Sequence, residues 1–218
     1  MSRCIIVLGI PRSGTSCVAG VLHKLGVNMG QGHFQPIDRF NQRGYFEDLR
    51  WRLTNQKITG KGYSTRGLDI ESVNSTMRKQ WRQIAKECER QVIWGVKDPF
   101  FCFVGQFIWP MLQEPRIVAV HRNFDASVKS VARHIQSSYR GRYKGGASRI
   151  QTRWLTGFER RILEFGGPIY HINYDELVAS PKGQIHKLAD WCFEGLSIQP
   201  KGSIKKIAQW VTPTLKHF

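Results

Sequence analysis

The sequence predicts a three-layer α/β fold: a central parallel sheet of about four to five strands, flanked by helices, in a single domain over residues 1–218. Three observations predict it. Four short runs, Cys4–Leu8, Val92–Val96, Arg116–Val120 and Pro168–Ile172, are rich in Ile and Val, as strands buried on both faces are. Helical patterns lie between them, which implies parallel strands joined by crossovers. The first three runs lead straight into polar residues, Gly9–Gly14, Lys97-Asp98-Pro99 and His121-Arg122-Asn123. In such sheets ligands bind beyond the carboxyl ends of the strands.

In chain order, the first strand turns through Gly9 into a helix over Thr15–Leu25. Residues Gly30–Gly67 are Gly-rich and polar, so they read as loop around one short helix near Glu47–Gln56. Ser72–Arg90 is a long helix, polar on one side. Phe101–Leu112 and Asp125–Gln136 follow the second and third strands. Ile150–Phe165 precedes the fourth strand and Lys182–Phe193 follows it. No repeat or low-complexity tract interrupts the pattern.

Hydrophobic residues make up 41% of the 218, enough for a substantial core. No apolar run approaches the roughly 20 residues of a membrane helix. The short apolar start reads as a buried strand rather than a leader, which places the protein in the cytoplasm. The five cysteines are scattered and form no CxxC pair, so they read as reduced and mostly buried. Acidic residues are sparse and no HxxxH occurs, so no metal site is expected. Lys and Arg number 33 against 16 Asp and Glu, a net charge of +17 that draws polyanions. Nucleic acid, a phosphorylated nucleotide and an acidic acceptor all satisfy that charge. Lys129, Arg133, Arg140, Arg142, Lys144, Arg149 and Arg153 fall in one stretch without an acid.

The segment Gly9-Ile10-Pro11-Arg12-Ser13-Gly14-Thr15-Ser16 has the glycine spacing of a P-loop and sits between a strand and a helix. Its backbone N–H groups can face a phosphate at the positive end of the helix dipole, and Thr15 and Ser16 add hydroxyls. Thr15 stands where a P-loop NTPase has the lysine for the β- and γ-phosphates. The cation, Arg12, lies inside the loop instead, which suits one phosphate beside a different charged group.

This loop resembles the 5′-phosphosulfate loop of sulfotransferases that use 3′-phosphoadenosine 5′-phosphosulfate (PAPS), on a P-loop NTPase-like fold. A second segment is similar to that family's 3′-phosphate motif: Arg122 at a strand end, with Ser130 eight residues on. An arginine fork grips phosphate in a bidentate manner and a hydroxyl completes the shell. Val96-Lys97-Asp98-Pro99, Asn173-Tyr174-Asp175-Glu176-Leu177 with Ser180-Pro181, and Asn41-Gln42-Arg43-Gly44-Tyr45-Phe46-Glu47 resemble further family segments, the last in a bacterial and marine branch. The resemblance runs from about residue 4 to residue 181.

The resemblance implies PAPS as co-substrate and no metal. Pro11, Arg12, Ser13, Gly14, Thr15 and Ser16 would hold the phosphosulfate, Arg122 and Ser130 the 3′-phosphate, and Tyr174 would approach the adenine. Arg12 would stabilise the leaving bridge, and Lys97 would assist at the sulfate. The cytosolic branch has a catalytic histidine where this chain has Pro99, and its C-terminal Arg-Lys-Gly-x-x-Gly segment is reduced here to Lys201-Gly202-Ser203. In relatives without the histidine a glutamate serves as base, which assigns Glu47; Asp48, Asp98 and His33 are rivals. Asp98 is also a candidate ion-pair partner for Arg12 or Lys97. The acceptor is a small molecule, saccharide or lipid, and an anionic one would meet the basic loop Tyr139–Arg153. Two other readings stand beside this one. One is an atypical P-loop kinase for a nucleotide or small molecule. The other is a basic nucleic-acid-binding protein, although no recognisable DNA- or RNA-binding motif is present.

Overall fold

The computed structural model describes residues 2–30, 32–38, 41–59, 70–71, 73–139 and 146–211. Among them, four parallel strands form one sheet: β1 (Arg3–Leu8), β2 (Ile93–Lys97), β3 (Pro115–His121) and β4 (Ile169–Asn173), in the order β2-β1-β3-β4. In register, Ile6 lies between Val96 and Ile117, and His121 lies opposite Asn173. The chain leaves β1 toward one edge to build β2, then crosses back to build β3 on the other side. The direction of winding therefore switches between β1 and β3, and that switch opens a crevice at their carboxyl ends.

Successive side chains of a strand point to opposite faces, so β1 feeds two cores. Cys4, Ile6 and Leu8 pack with α2 (Leu49–Thr59), α3 (Ser75–Cys88), α4 (Phe101–Ile108) and α6 (Ala147–Glu164). Ile5 and Val7 pack with α1 (Thr15–Lys24), α7 (Tyr174–Ala179), α8 (Pro181–Phe193) and α9 (Ile204–Trp210). A 3₁₀ turn at Trp109–Met111 ends α4, and α5 (Phe124–Tyr139) leaves β3 to lie beside α6. These are the three layers that the apolar runs predict. No described helix is long and apolar enough to cross a membrane.

Two contacts place the segment that becomes one wall of the site. Trp51 of α2 stacks on Trp94 of β2 at 6.4 Å between ring centroids, and both are buried. That stack sets the start of α2 against β2, and truncating such a tryptophan costs about 3–5 kcal/mol. On the other side, Gly20 of α1 lets Phe46 and Trp210 close over the helix. A Cβ there would lie 2.4 Å from the Trp210 ring and 2.8 Å from that of Phe46.

The short helix expected near Glu47–Gln56 begins later, at Leu49, so Glu47 precedes the helix rather than occupying its first turn. The basic stretch read as loop through Arg153 is helical from Ala147, where a strongly amphipathic run begins after Gly146. Residues 140–145 of that stretch, and 60–67 of the long loop, lie outside the described residues. All five cysteines are free, and only Cys88 is less than buried.

Candidate active site

The phosphate loop is shaped by two left-handed residues, Arg12 at φ 65° and Gly14 at φ 94°. Only glycine fits at position 14: a Cβ would lie 2.2 Å from the Tyr174 ring. Arg12 holds its conformation at a cost of about 1–2 kcal/mol, offset by hydrogen bonds at every part of the loop. Ser13 Oγ donates to Ile10 O at 2.7 Å. Gln151 Nε2 donates to Pro11 O at 2.8 Å, and Arg122 Nη1 donates to Arg12 O at 2.8 Å. Ser13 N also donates to Ile10 O, at 3.2 Å, which leaves the N–H groups of Arg12 and Gly14 without a partner in the loop, as in an anion nest. No side chain caps α1, so its first N–H groups also stay open to a ligand.

Charged groups converge on this nest from three strand ends. The Nε of Arg12 donates to Ser130 Oγ at 3.0 Å. Asn123 caps α5 by accepting from Ala126 N at 3.0 Å, which fixes Arg122 just before the helix and the buried Ser130 within it. The Arg122 guanidinium lies 5.1 Å over the Tyr174 ring, and its Nε is buried without a partner. Tyr174 opens α7, where Asn173 accepts from Asp175 N at 2.8 Å. Burial pushes the Tyr174 hydroxyl up to about 12, so it stays neutral. Cys17 also lines the cavity, but burial raises its thiol to about 12, which removes it as a nucleophile.

From the end of β2, the Lys97 ammonium donates to Glu47 Oε1 and to Ser16 Oγ, the latter at 3.3 Å. Lys97 is 3% exposed and Glu47 6%, so this ion pair is screened from water. Arg52 adds a second cation 3.6 Å from Glu47. Asp98 does not pair with Arg12 or Lys97. It accepts from Asn55 Nδ2 at 2.8 Å and from Phe100 N at 2.9 Å, while Trp81 Nε1 donates to Asn55 Oδ1 at 3.0 Å. Burial, and then the nearby Glu47, raise the Asp98 carboxyl to about 6. Arg12, Ser16, Glu47, Arg52, Lys97, Asp98, Arg122 and Tyr174 open onto one cavity of about 470 Å³.

The structure thus gathers Pro11, Arg12, Gly14, Thr15, Ser16, Glu47, Lys97, Arg122 and Tyr174 around the cavity, with Ser13 and Ser130 buried behind it. Two rival bases lie elsewhere. Asp48 is occupied by Arg50, with Nη2 to Oδ2 at 2.5 Å, and His33 is exposed away from the cavity. His121 also faces away, stacked on His171 with their ring nitrogens 2.8 Å apart. Lys201-Gly202-Ser203 packs at the far end of α1, where Lys201 N donates to Leu25 O at 2.7 Å, so it is no phosphate ligand. Sequence reasoning missed Arg52, Asn55 and Gln151, which carry no motif. Among the described residues, no group of three or more His, Cys, Asp or Glu is placed to hold a metal ion.

A three-layer sheet with an anion nest at its switch point and a buried lysine–carboxylate pair beside it defines a P-loop-like group-transfer enzyme. The Sulfotransferase family model matches residues 4–200, and the chain belongs to that family. Solved structures share the fold. Sulfotransferase STF9 from Mycobacterium avium superposes with a TM-score of 0.58 at 15% identity, over 96% of this chain and 68% of that one. The sulfotransferase domain from the curacin biosynthetic pathway gives 0.54 at 16% identity, over 88% and 74%. Sulfotransferase STF1 from Mycobacterium tuberculosis H37Rv gives 0.53 at 14%, over 96% and 71%. No curated protein matches the sequence.

Proposed function

We propose that this sulfotransferase takes its sulfuryl group from PAPS and delivers it to a hydroxyl or amine, within a single sulfotransferase-like domain spanning the chain. The observation that carries the reading is the position of Lys97, whose one ammonium reaches both the phosphate loop at Ser16 and the carboxylate of Glu47. A cation there serves an anion on the loop, and a carboxylate beside it serves a proton.

The loop Pro11–Ser16 holds the 5′-phosphosulfate through the N–H groups of Arg12, Gly14, Thr15 and Ser16 and the hydroxyls of Thr15 and Ser16, with Pro11 and Ser13 shaping the turn. Arg122 and Ser130 hold the 3′-phosphate, and Tyr174 borders the nucleoside. Lys97 leaves Glu47 for the sulfonate oxygens, which frees Glu47 to take the acceptor proton. The acceptor–sulfur bond forms as the bond from sulfur to the 5′-phosphate breaks. The electron pair stays on the phosphate oxygen, where Arg12 meets the charge. Catalysis here is positioning and electrostatic stabilisation. Arg12, Lys97 and Arg122 answer the donor's negative charge without a metal.

Calorimetric titration with adenosine 3′,5′-bisphosphate in EDTA tests the reading, with ATP as control. Micromolar binding that exceeds ATP binding and collapses in Arg122→Ala is the expected result. Binding of ATP alone, and only with magnesium, would overturn it in favour of a kinase.

A further inference from the structure

Half of the cavity belongs to the donor groups above. The other half is walled by the segment between α1 and α2, and its composition is unusual for a binding pocket. Most small-molecule pockets are lined predominantly by hydrophobic side chains. None of the described residues lining this cavity is Leu, Ile, Val or Met. Its apolar surface comes from rings instead: Phe100, Trp154, Tyr45 and Trp210. Ile37, between Gln35 and Asp38, is 65% exposed, and Leu53 in the adjoining α2 is 57% exposed.

The remainder of the wall offers hydrogen bonds. Gln35, Asp38, Asn41 and Gln42 line it. Gln35 is anchored through its backbone N, which donates to Glu47 O at 2.8 Å, while its side-chain Oε1 is buried without a partner. Asp38 is fixed by the Tyr45 hydroxyl, at 2.8 and 2.9 Å from its two oxygens, and by Asn41 N at 3.0 Å. An amide side chain presents a donor and an acceptor together, as a hydroxyl does. The charges of this wall balance. Arg43 is engaged by the Trp210 carbonyl and Arg52 by Glu47, so both cations already have partners.

We infer that the acceptor is an uncharged, hydroxyl-rich molecule of the sugar class, seated with its C–H face on the aromatic rings and its hydroxyls on the amides and Asp38. This inference rests on the proposed sulfuryl transfer and names the acceptor for the same site. A phenol, sterol or long-chain alcohol would leave the amides and Gln35 Oε1 unpaired on binding, at about 1–3 kcal/mol for each buried group. An anionic acceptor would need a cation not already paired. A sugar satisfies the rings and the amides at once.

Ligand-observed NMR by saturation transfer tests it, with and without adenosine 3′,5′-bisphosphate. The probes are methyl β-glucoside, cellobiose, glucuronic acid, 2-naphthol and octanol. The neutral sugars are expected to bind, competing with one another and ahead of the other three. Gln35→Leu and Asn41→Leu are each expected to weaken sugar binding about tenfold, the worth of a lost hydrogen bond. Both variants should keep their bisphosphate affinity and melting temperature. Preference for naphthol or octanol, preference for glucuronic acid, absence of sugar binding, or sugar binding indifferent to Gln35→Leu would each overturn the inference. Sugar binding by a protein that does not bind the bisphosphate would uphold the acceptor class and sink the donor reading instead.

Discussion

The Nε of Arg12 donates to the hydroxyl of Ser130 at 3.0 Å, joining the phosphate loop to α5. Sequence reasoning assigned these residues to the two ends of the donor, the sulfate bridge and the 3′-phosphate. In the proposed donor complex their contact would put both anion positions within reach of one arginine. Ser130→Ala should therefore weaken adenosine 3′,5′-bisphosphate binding by roughly 10- to 150-fold, as expected for a hydrogen bond to a charged group. Calorimetry against ATP checks this, since ATP lacks a 3′-phosphate and should lose far less.

Glu47→Gln separates proton transfer from donor binding. Loss of a general base lowers the chemical step by about 10²- to 10⁴-fold. The same change removes the anion that occupies Lys97, so bisphosphate affinity should hold or tighten. Single-turnover kinetics beside calorimetry reads both effects. A parallel loss of affinity and rate would indicate that Glu47 shapes the donor site rather than serving the acceptor.

Lys97→Met strands a buried carboxylate beside a single partner, Arg52 at 3.6 Å. Breaking a buried pair by removing one member costs about 3–5 kcal/mol. Urea denaturation should show that loss in Lys97→Met, and the double variant Lys97→Met/Glu47→Gln should recover most of it.

Asp98 gives the fold a pH dependence of its own. Its carboxyl is raised to about 6 by burial and then by Glu47, above the roughly 3.9 of an unfolded aspartate. The folded state therefore holds this proton more tightly. The stabilisation is complete below about pH 4 and lost as pH rises through about 6. Relative to Asp98→Asn, the wild type should lose on the order of 1–3 kcal/mol between those limits. Urea melts of both proteins across that range measure the difference.

The four strands were legible because each is a short run rich in Ile and Val or other apolar residues that leads into polar ones, and the structure moves their ends by a residue or so. The short helices were not. Tyr174–Ala179 carries an Asn173 cap and acids in its first turn, yet six residues are too few for a periodic pattern, and Ile204–Trp210 is equally brief. Within the site, residues adjacent in the chain were readable as motifs: the loop, the Lys97 strand end, and Arg122. The contacts that join these pieces were not. Gln151 reaches Pro11 across 140 residues, and Lys97 reaches Glu47 across 50. No local spacing encodes such contacts. They follow from the strand order, which one sequence does not display.

The division of the cavity has a consequence for how such an enzyme can diverge. The proposed donor grip is built from the ends of β1, β2 and β3, where a change disturbs the sheet. The facing wall hangs on one excursion between α1 and α2, held at Asn28, whose carbonyl accepts from Gly95 N at 2.9 Å, and at Phe46 against Trp210. Between those two anchors the chain can lengthen, shorten or be recombined while the sheet keeps its register. Descendants of one ancestor can thus change clientele quickly while the phosphate loop and its strand ends stay under strict constraint.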